Sequence, residues 1–259
     1  VALSQLIALI LSGVFAGILA GLLGIGGGTV MVPILLALGY APIQAVATSS
    51  LAIIVTSLSG SFQNWRMGYL DFERVLWLGV PAVLTVQIGV LVASNLSPRL
   101  LLIAFAILLV INIFLVSLRQ KLAVRNEDNT ASASMNPKLA RILTGAIAGF
   151  MAGLLGVGGG VIMVPLQMAL LGEPIKRSIQ TSLGVVVMTA IASTIGHALQ
   201  GNVVWSAGLI LGLGGLVSAQ LSSRLLPKLP DRFVSLLFRG LLVTLIIYTL
   251  WEAWQYQPG

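Results

Sequence analysis

GLLGIGGGTVMVPIL at residues 21–35 returns as GLLGVGGGVIMVPLQ at residues 153–167. The likeness extends outward on both sides. Residues 13–40 and 145–172 align without a gap at an offset of 132 and share 16 identities in 28 positions. Both copies lie in strongly apolar surroundings and are broken by Gly and Pro at matching places. A duplicated hydrophobic unit interrupted in this way is the sequence pattern of a secondary transporter built from two repeats. Beyond the short arm the offset becomes 133, pairing Gly68 with Gly201, Gln87 with Gln220 and Arg99 with Arg232. The duplication thus covers nearly the whole chain.

Composition places the repeat in a membrane. Of 259 residues 58% are hydrophobic and 8% charged, with a mean hydropathy of +1.05. A soluble domain carries about 25% charged residues, and apolar runs of about 20 residues recur here from end to end. The expected fold is an all-α polytopic membrane protein. The absence of cysteine excludes disulfides and thiolate-bound metals. The net charge of +7 is not a nucleic-acid footprint. Five of the 14 basic residues, Arg119, Lys121, Arg125, Lys138 and Arg141, flank one polar linker, as on the cytoplasmic side of a membrane protein.

Repeat 1 is expected at 1–118: a helix at 3–23, a break at 24–28, a short arm at 29–39, then helices at about 43–64, 73–95 and 98–118. A cytoplasmic linker follows at 119–137. Repeat 2, at 138–259, has a helix at 138–155, a break at 156–160, an arm at 161–171 and helices at about 175–199, 203–225 and 231–254. Eleven helical residues cover about 16 Å, half the hydrocarbon thickness. Pro33 and Pro165 suggest that the helical part of each arm starts near the proline. An arm that continues its helix gives parallel repeats; one that folds back as a hairpin gives inverted repeats. With the linker inside, parallel repeats put seven basic residues inside and six outside, Arg239 left uncounted within its helix. Inverted repeats put twelve inside and only Arg99 outside. The positive-inside rule selects inverted repeats, with the 224–232 loop inside and both termini outside.

Two kinds of glycine are distinguished. Gly13, Gly17 and Gly21, with Gly145, Gly149 and Gly153, recur every four residues, as close helix packing requires. Gly26, Gly27 and Gly28, with Gly158, Gly159 and Gly160, are contiguous and disrupt a helix. A Gly-rich turn opening a helix leaves N–H groups free at its positive end, which is an anion site. Beside these stand two small polar clusters, Thr48, Ser49 and Ser50, matched at the 132 offset with Gln180, Thr181 and Ser182. Their hydroxyls can donate to an anion, or bond back to their own helices.

Gln87 and Gln220 fall mid-helix at equivalent positions, as helix–helix bonds or pathway groups. His197, the only histidine, is either a proton carrier for coupled transport or an ordinary interfacial residue near a helix end. Arg239 either snorkels to the interface or lends positive charge to an anion pathway. Asp71, Glu73, Glu173, Asp231 and Glu252 all lie near segment ends. The lack of carboxylates deep in any helix argues against a cation carrier and agrees with an anion substrate. No metal-ligand cluster, catalytic triad or nucleotide loop is visible. Neither an enzyme nor a metal or cofactor is expected.

At these residues the chain resembles the sulfite exporter TauE/SafE family of membrane permeases. The doubled GLLGxGGG-x-x-MVP motif carries the resemblance, each copy followed by a Pro-containing turn (Pro42, Pro174) and a small polar cluster (47–52, 180–184). The resemblance implies an inner-membrane exporter of sulfite, sulfonates or related sulfur-containing anions. The two half-sites are expected to differ where Gln180 stands against Thr48. An anion channel and a non-transporting membrane scaffold are the alternative functions. The partners expected are the small anion and the bilayer, with no nucleic acid.

Overall fold

The computed structural model describes residues 3–125 and 136–255. Ten α-helices follow one another: α1 (Leu3–Leu23), α2 (Gly28–Ala37), α3 (Pro42–Arg66), α4 (Phe72–Asn95), α5 (Pro98–Arg125), α6 (Pro137–Leu155), α7 (Gly160–Leu171), α8 (Ile175–Leu199), α9 (Trp205–Leu225) and α10 (Asp231–Gln255). Among the described residues, seven helices are long and apolar enough to cross a membrane, whereas α2, α7 and the apolar Pro98–Ile111 part of α5 are shorter. The chain is therefore a multi-pass, all-helical membrane protein. Helix α5 runs on to Arg125, so the first seven residues assigned to the linker are helical. Linker residues 126–135 lie outside the described residues.

The breaks come where three positive-φ glycines fall together. Gly24, Gly26 and Gly27 have φ of 70°, 69° and 88°, and Gly156, Gly158 and Gly159 have 65°, 69° and 77°. Residues with a Cβ rarely hold these angles. The breaks end at once in helix: α2 starts at Gly28 and α7 at Gly160, with Pro33 and Pro165 inside them. The expectation that the arms turn helical only near the prolines is thus corrected. A proline at the sixth helical residue forfeits one bond, to a carbonyl of the first turn, and tertiary packing in these buried arms holds the helix. At each break the chain turns back on itself. A Cβ on Gly27 would meet the carbonyl oxygen of Ala16 at 2.9 Å, and one on Gly159 that of Ala148 at 2.6 Å, both well back along the preceding helix.

The four-residue glycine stripes serve close packing, as their spacing predicts. Gly13, Gly17 and Gly21 of α1 lie on Leu211, Gly215 and Ala219 of α9. Gly145, Gly149 and Gly153 of α6 lie on Leu78, Ala82 and Val86 of α4. Each pair of lists ascends together, so both helix pairs run in the same sense. Helix α3 also runs with α9 (Leu51 on Gly208, Val55 on Gly212), and α8 runs with α4 (Gly184 on Val75, Gly196 on Val90). Helices α3 and α8 oppose each other: Ser50 bonds Ser193 at 3.0 Å while Gly60 faces Leu183. These two helices are the most buried of the seven spans and form the centre of the bundle.

Overpacking this backbone contact is expected to be costly. Gly149→Ala places a methyl against the Ala82 carbonyl and should lower stability by about 1–3 kcal/mol. Gly240→Ala on α10 meets nothing within 4 Å and should be neutral or stabilising by up to about 1 kcal/mol. Thermal melting in detergent compares the two.

Candidate functional site

Buried backbone that leaves its helix must find new partners. Here the partners are hydroxyls of α3 and α8, arranged crosswise. Thr56 of α3 donates to the Gly26 carbonyl at 2.7 Å, and Ser49 of the same helix donates to the Gly156 carbonyl of the other break at 2.8 Å. Thr189 of α8 donates to Gly158 at 2.8 Å, and Ser182 to Gly24 at 2.7 Å. Each central helix thus braces both breaks.

The two breaks meet each other. A Cβ on Gly28 would lie 2.7 Å from the Gly156 carbonyl oxygen, and one on Gly160 would strike that of Gly24. Gly26 and Gly158 both press on Ile53 and Val186. All six contiguous glycines are buried, and the starts of α2 and α7 are drawn together at the centre of the bundle. The amides of Gly26, Gly27, Gly158 and Gly159 make no hydrogen bond to a protein acceptor among the described residues. Thr29, in the first turn of α2, is also fully buried with an unpartnered hydroxyl.

The bracing bonds correct the register of the polar clusters. Ser49 and Ser182 play the same part, as do Thr56 and Thr189, so the 133 offset already holds in α3 and α8. One extra residue lies before α8, between the arm and the helix. Thr48 therefore corresponds to Thr181, and Gln180 to Ala47. The supposed exchange of Thr48 for Gln180 does not exist.

The remaining candidates take several positions. Thr48 accepts from the Val204 N–H at 3.0 Å, at the start of α9. Ser50 bonds Val46 and Ser193. Gln180 and Thr181 are only 6% and 1% exposed, yet they line a chamber of about 730 Å³. Neither side chain makes a hydrogen bond among the described residues. The chamber is walled by Gly68–Asp71, Pro174, Lys176, Arg177, Pro227 and Asp231. Lys176 pairs with Asp231 at 3.1 Å, and Arg74 bridges Asp71 and Glu173 at 2.8 and 2.6 Å. Arg177 is exposed and has no ion-pair partner among the described residues. It lies one turn before Gln180 and Thr181 on α8.

A smaller chamber of about 320 Å³ lies at the opposite end of the α3–α8 pair, lined by Ile43, Ser94, Pro98 and Gln200 among others. Its residues correspond to those of the larger chamber: Ile43 to Lys176, Ser94 to Pro227, Pro98 to Asp231. It does not reach Thr48, whose hydroxyl is closed on Val204.

His197 is fully buried, not interfacial. Its Nε2 lies 3.0 Å from the Gly153 carbonyl, one turn before the second break. Gln87 donates to the Ala192 carbonyl at 2.8 Å, a helix–helix bond. Gln220 is half-buried on α9 with no such bond among the described residues, and Arg239 is half-buried on α10; neither lines these chambers. Thr29, Thr56, Thr189 and Asn64 escape the sequence reading. Thr56 and Thr189 were reachable, since they coincide at the 133 offset.

The model of the family described as sulfite exporter TauE/SafE matches residues 9–249. The chain belongs to that family. Similar proteins include the probable membrane transporter YunE of Bacillus subtilis, 25% identical over 94% of this chain and 97% of the relative. A probable membrane transporter of Methanocaldococcus jannaschii is 26% identical over 93% and 94%. YjnA of Bacillus subtilis, with the same description, is 27% identical over 88% and 94%. No solved structure matches. The protein is accordingly a membrane transporter handling a small molecule within the bilayer.

Thr56→Val and Thr189→Val keep the shape but remove a donor, leaving the Gly26 or Gly158 carbonyl unpaired. Each should cost about 1–3 kcal/mol, while Thr→Ser at the same positions should retain most of the stability. Melting in detergent, with hydrogen exchange at the breaks, tests this.

Proposed function

We propose that the protein exports sulfite or a related sulfur-containing anion across the cytoplasmic membrane. The observation that carries this reading is the meeting of two helix starts whose glycine amides lack acceptors. Each start bears a partial positive charge, and unpaired amides replace part of an anion's hydration shell. Gly26–Gly28 and Gly158–Gly160 would hold the anion. Ser49 and Ser182 fix those loops, and Gln180 and Thr181 meet the anion on its way from the chamber. Arg177, without an ion-pair partner among the described residues, puts a positive charge at the mouth of that chamber, whereas Lys176 is matched by Asp231.

Alternating access between two inverted repeats accounts for the unequal chambers. The opposed run of α3 and α8 supports inversion, because α1 runs with α3 through α9, and α6 runs with α8 through α4. In this arrangement the larger chamber faces the cytoplasm. The Thr48–Val204 bond closes the opposite side. Its counterpart across the repeat, Thr181 with the amide of Asp71, is open. Rocking the repeats would exchange the two.

Two experiments test the reading. Purified protein is screened by thermal shift against sulfite, sulfate, thiosulfate, sulfoacetate and taurine. Sulfite or a sulfonate should stabilise it, and Gly27→Val or Gly159→Val should remove that stabilisation, because a β-branched side chain cannot hold these φ angles. Folded valine variants that bind normally would reduce the glycines to packing. For orientation, single cysteines are introduced into this cysteine-free chain and labelled in intact cells with an impermeant reagent. The 224–232 loop should be protected and the 199–203 turn labelled; the reverse overturns the topology.

A further inference from the structure

The last turns of α1, α3 and α9 converge on one small buried cluster. The three helices run in the same sense and finish at Leu23, Arg66 and Leu225. Near their ends Gly21 of α1 packs on Ser222 and Ser223 of α9, and Ser223 Oγ would stand 2.9 Å from a Cβ on Gly60 of α3. One turn beyond Gly60 on α3 is Asn64, fully buried, with neither Oδ1 nor Nδ2 partnered. Ser61 and Ser223 are also buried, and their hydroxyls are unpartnered as well. Leaving such groups unsatisfied is costly in any interior and more so within a bilayer.

The electrostatics at this point select the sign of the missing partner. Each helix C-terminus carries roughly half a negative charge, and three meet here. The side chains add an amide oxygen and two hydroxyl oxygens. The nearby cations, Arg66 and Arg224, are exposed rather than turned to the cluster's interior. An anion is repelled by such a site. A small hard monovalent cation is favoured, since helix C-terminal ends and neutral oxygens suit it. We propose that Asn64, Ser61 and Ser223 form a sodium site. This modifies the inference from the missing carboxylates: helix ends and neutral oxygens can supply what a buried Asp or Glu would.

Pseudo-symmetry sharpens the assignment. At the 133 offset Asn64 corresponds to His197, Ser61 to Thr194 and Ser223 to Val90. The second cluster has lost two of the three oxygens, keeping only the Thr194 hydroxyl, and has gained an imidazole that itself contacts the Gly153 carbonyl. Only the first keeps the full set of neutral oxygens. Its place beside the first break links it to the anion: Gly60 packs on Leu183, so Asn64 falls level with the Ile179–Gln180 turn of the antiparallel α8. The site itself does not need the transport reading, whereas its use in coupling rests on that reading.

The test uses purified full-length protein without added substrate. Thermal melting is followed as choline chloride is exchanged for sodium or potassium chloride at constant ionic strength. Sodium should raise the midpoint by about 5 °C with a saturating dependence, beyond what choline or potassium gives. Asn64→Ala and Ser223→Val should each weaken the apparent sodium affinity at least tenfold. Valine stands at the equivalent of Ser223 in the second repeat, so that variant guards against a folding failure of Asn64→Ala. No sodium effect beyond choline, or an unchanged response in both variants, overturns the proposal. Because no sulfur anion is added, failure here leaves the anion screen untouched, and a failed anion screen leaves this result standing.

Discussion

Everything central to this molecule follows from backbone left without helical partners inside a bilayer. Water cannot satisfy it there, so protein must. The four hydroxyls of Ser49, Thr56, Ser182 and Thr189 do so, and they oblige α3 and α8 to lie at the core, beside both breaks. That position in turn explains why two spans of a membrane protein carry so many Ser and Thr residues and are so deeply buried. The outer helices then need only offer apolar surface to lipid. Much of their exposed face is Leu, Ile, Val and Phe, as on α4 (Leu76, Val80, Leu84, Ile88).

The crosswise pattern makes the repeats interdependent. Ser49 serves the break of the second repeat and Ser182 that of the first. Motion of one break therefore cannot leave the opposite central helix untouched. This is the kind of shared contact through which two sites bias one conformational equilibrium. On the alternating-access reading proposed above, the unequal chambers at the two ends of the α3–α8 pair correspond to rest on one side of that equilibrium.

Much of this was legible in the sequence, for identifiable reasons. Periodicity and length located all ten helices, and the glycine spacing identified α1 and α6 as close-packing helices. The breaks announced themselves because three glycines in a row have little other use. What stayed hidden depended on three-dimensional pairing. Ser49 and Ser182 were singled out as donors, but their acceptors lie 107 and 158 positions away along the chain. The helical start of α2 was obscured by Pro33, whose local preference yields to packing. The one-residue insertion before α8 shifted the apparent match of Thr48 from Thr181 to Gln180. Asn64 gave no signal, because an amide near a helix end is ordinary until the ends of two other helices arrive beside it.

The pairing of α1 with α9 has a consequence for how the chain enters the membrane. Gly13, Gly17 and Gly21 offer almost no side chain, so their stripe is filled by the backbone of α9 and its Ser218 and Ser222 side chains, about 200 residues later in the chain. During synthesis α1 is made before α9 and must wait in lipid with its grooved face bare while the intervening helices are made. Helix α6 has no such delay, because its partner α4 is already inserted. The two halves share one architecture but differ in biogenesis: the second assembles onto a finished surface, and the first is completed only when α9 arrives.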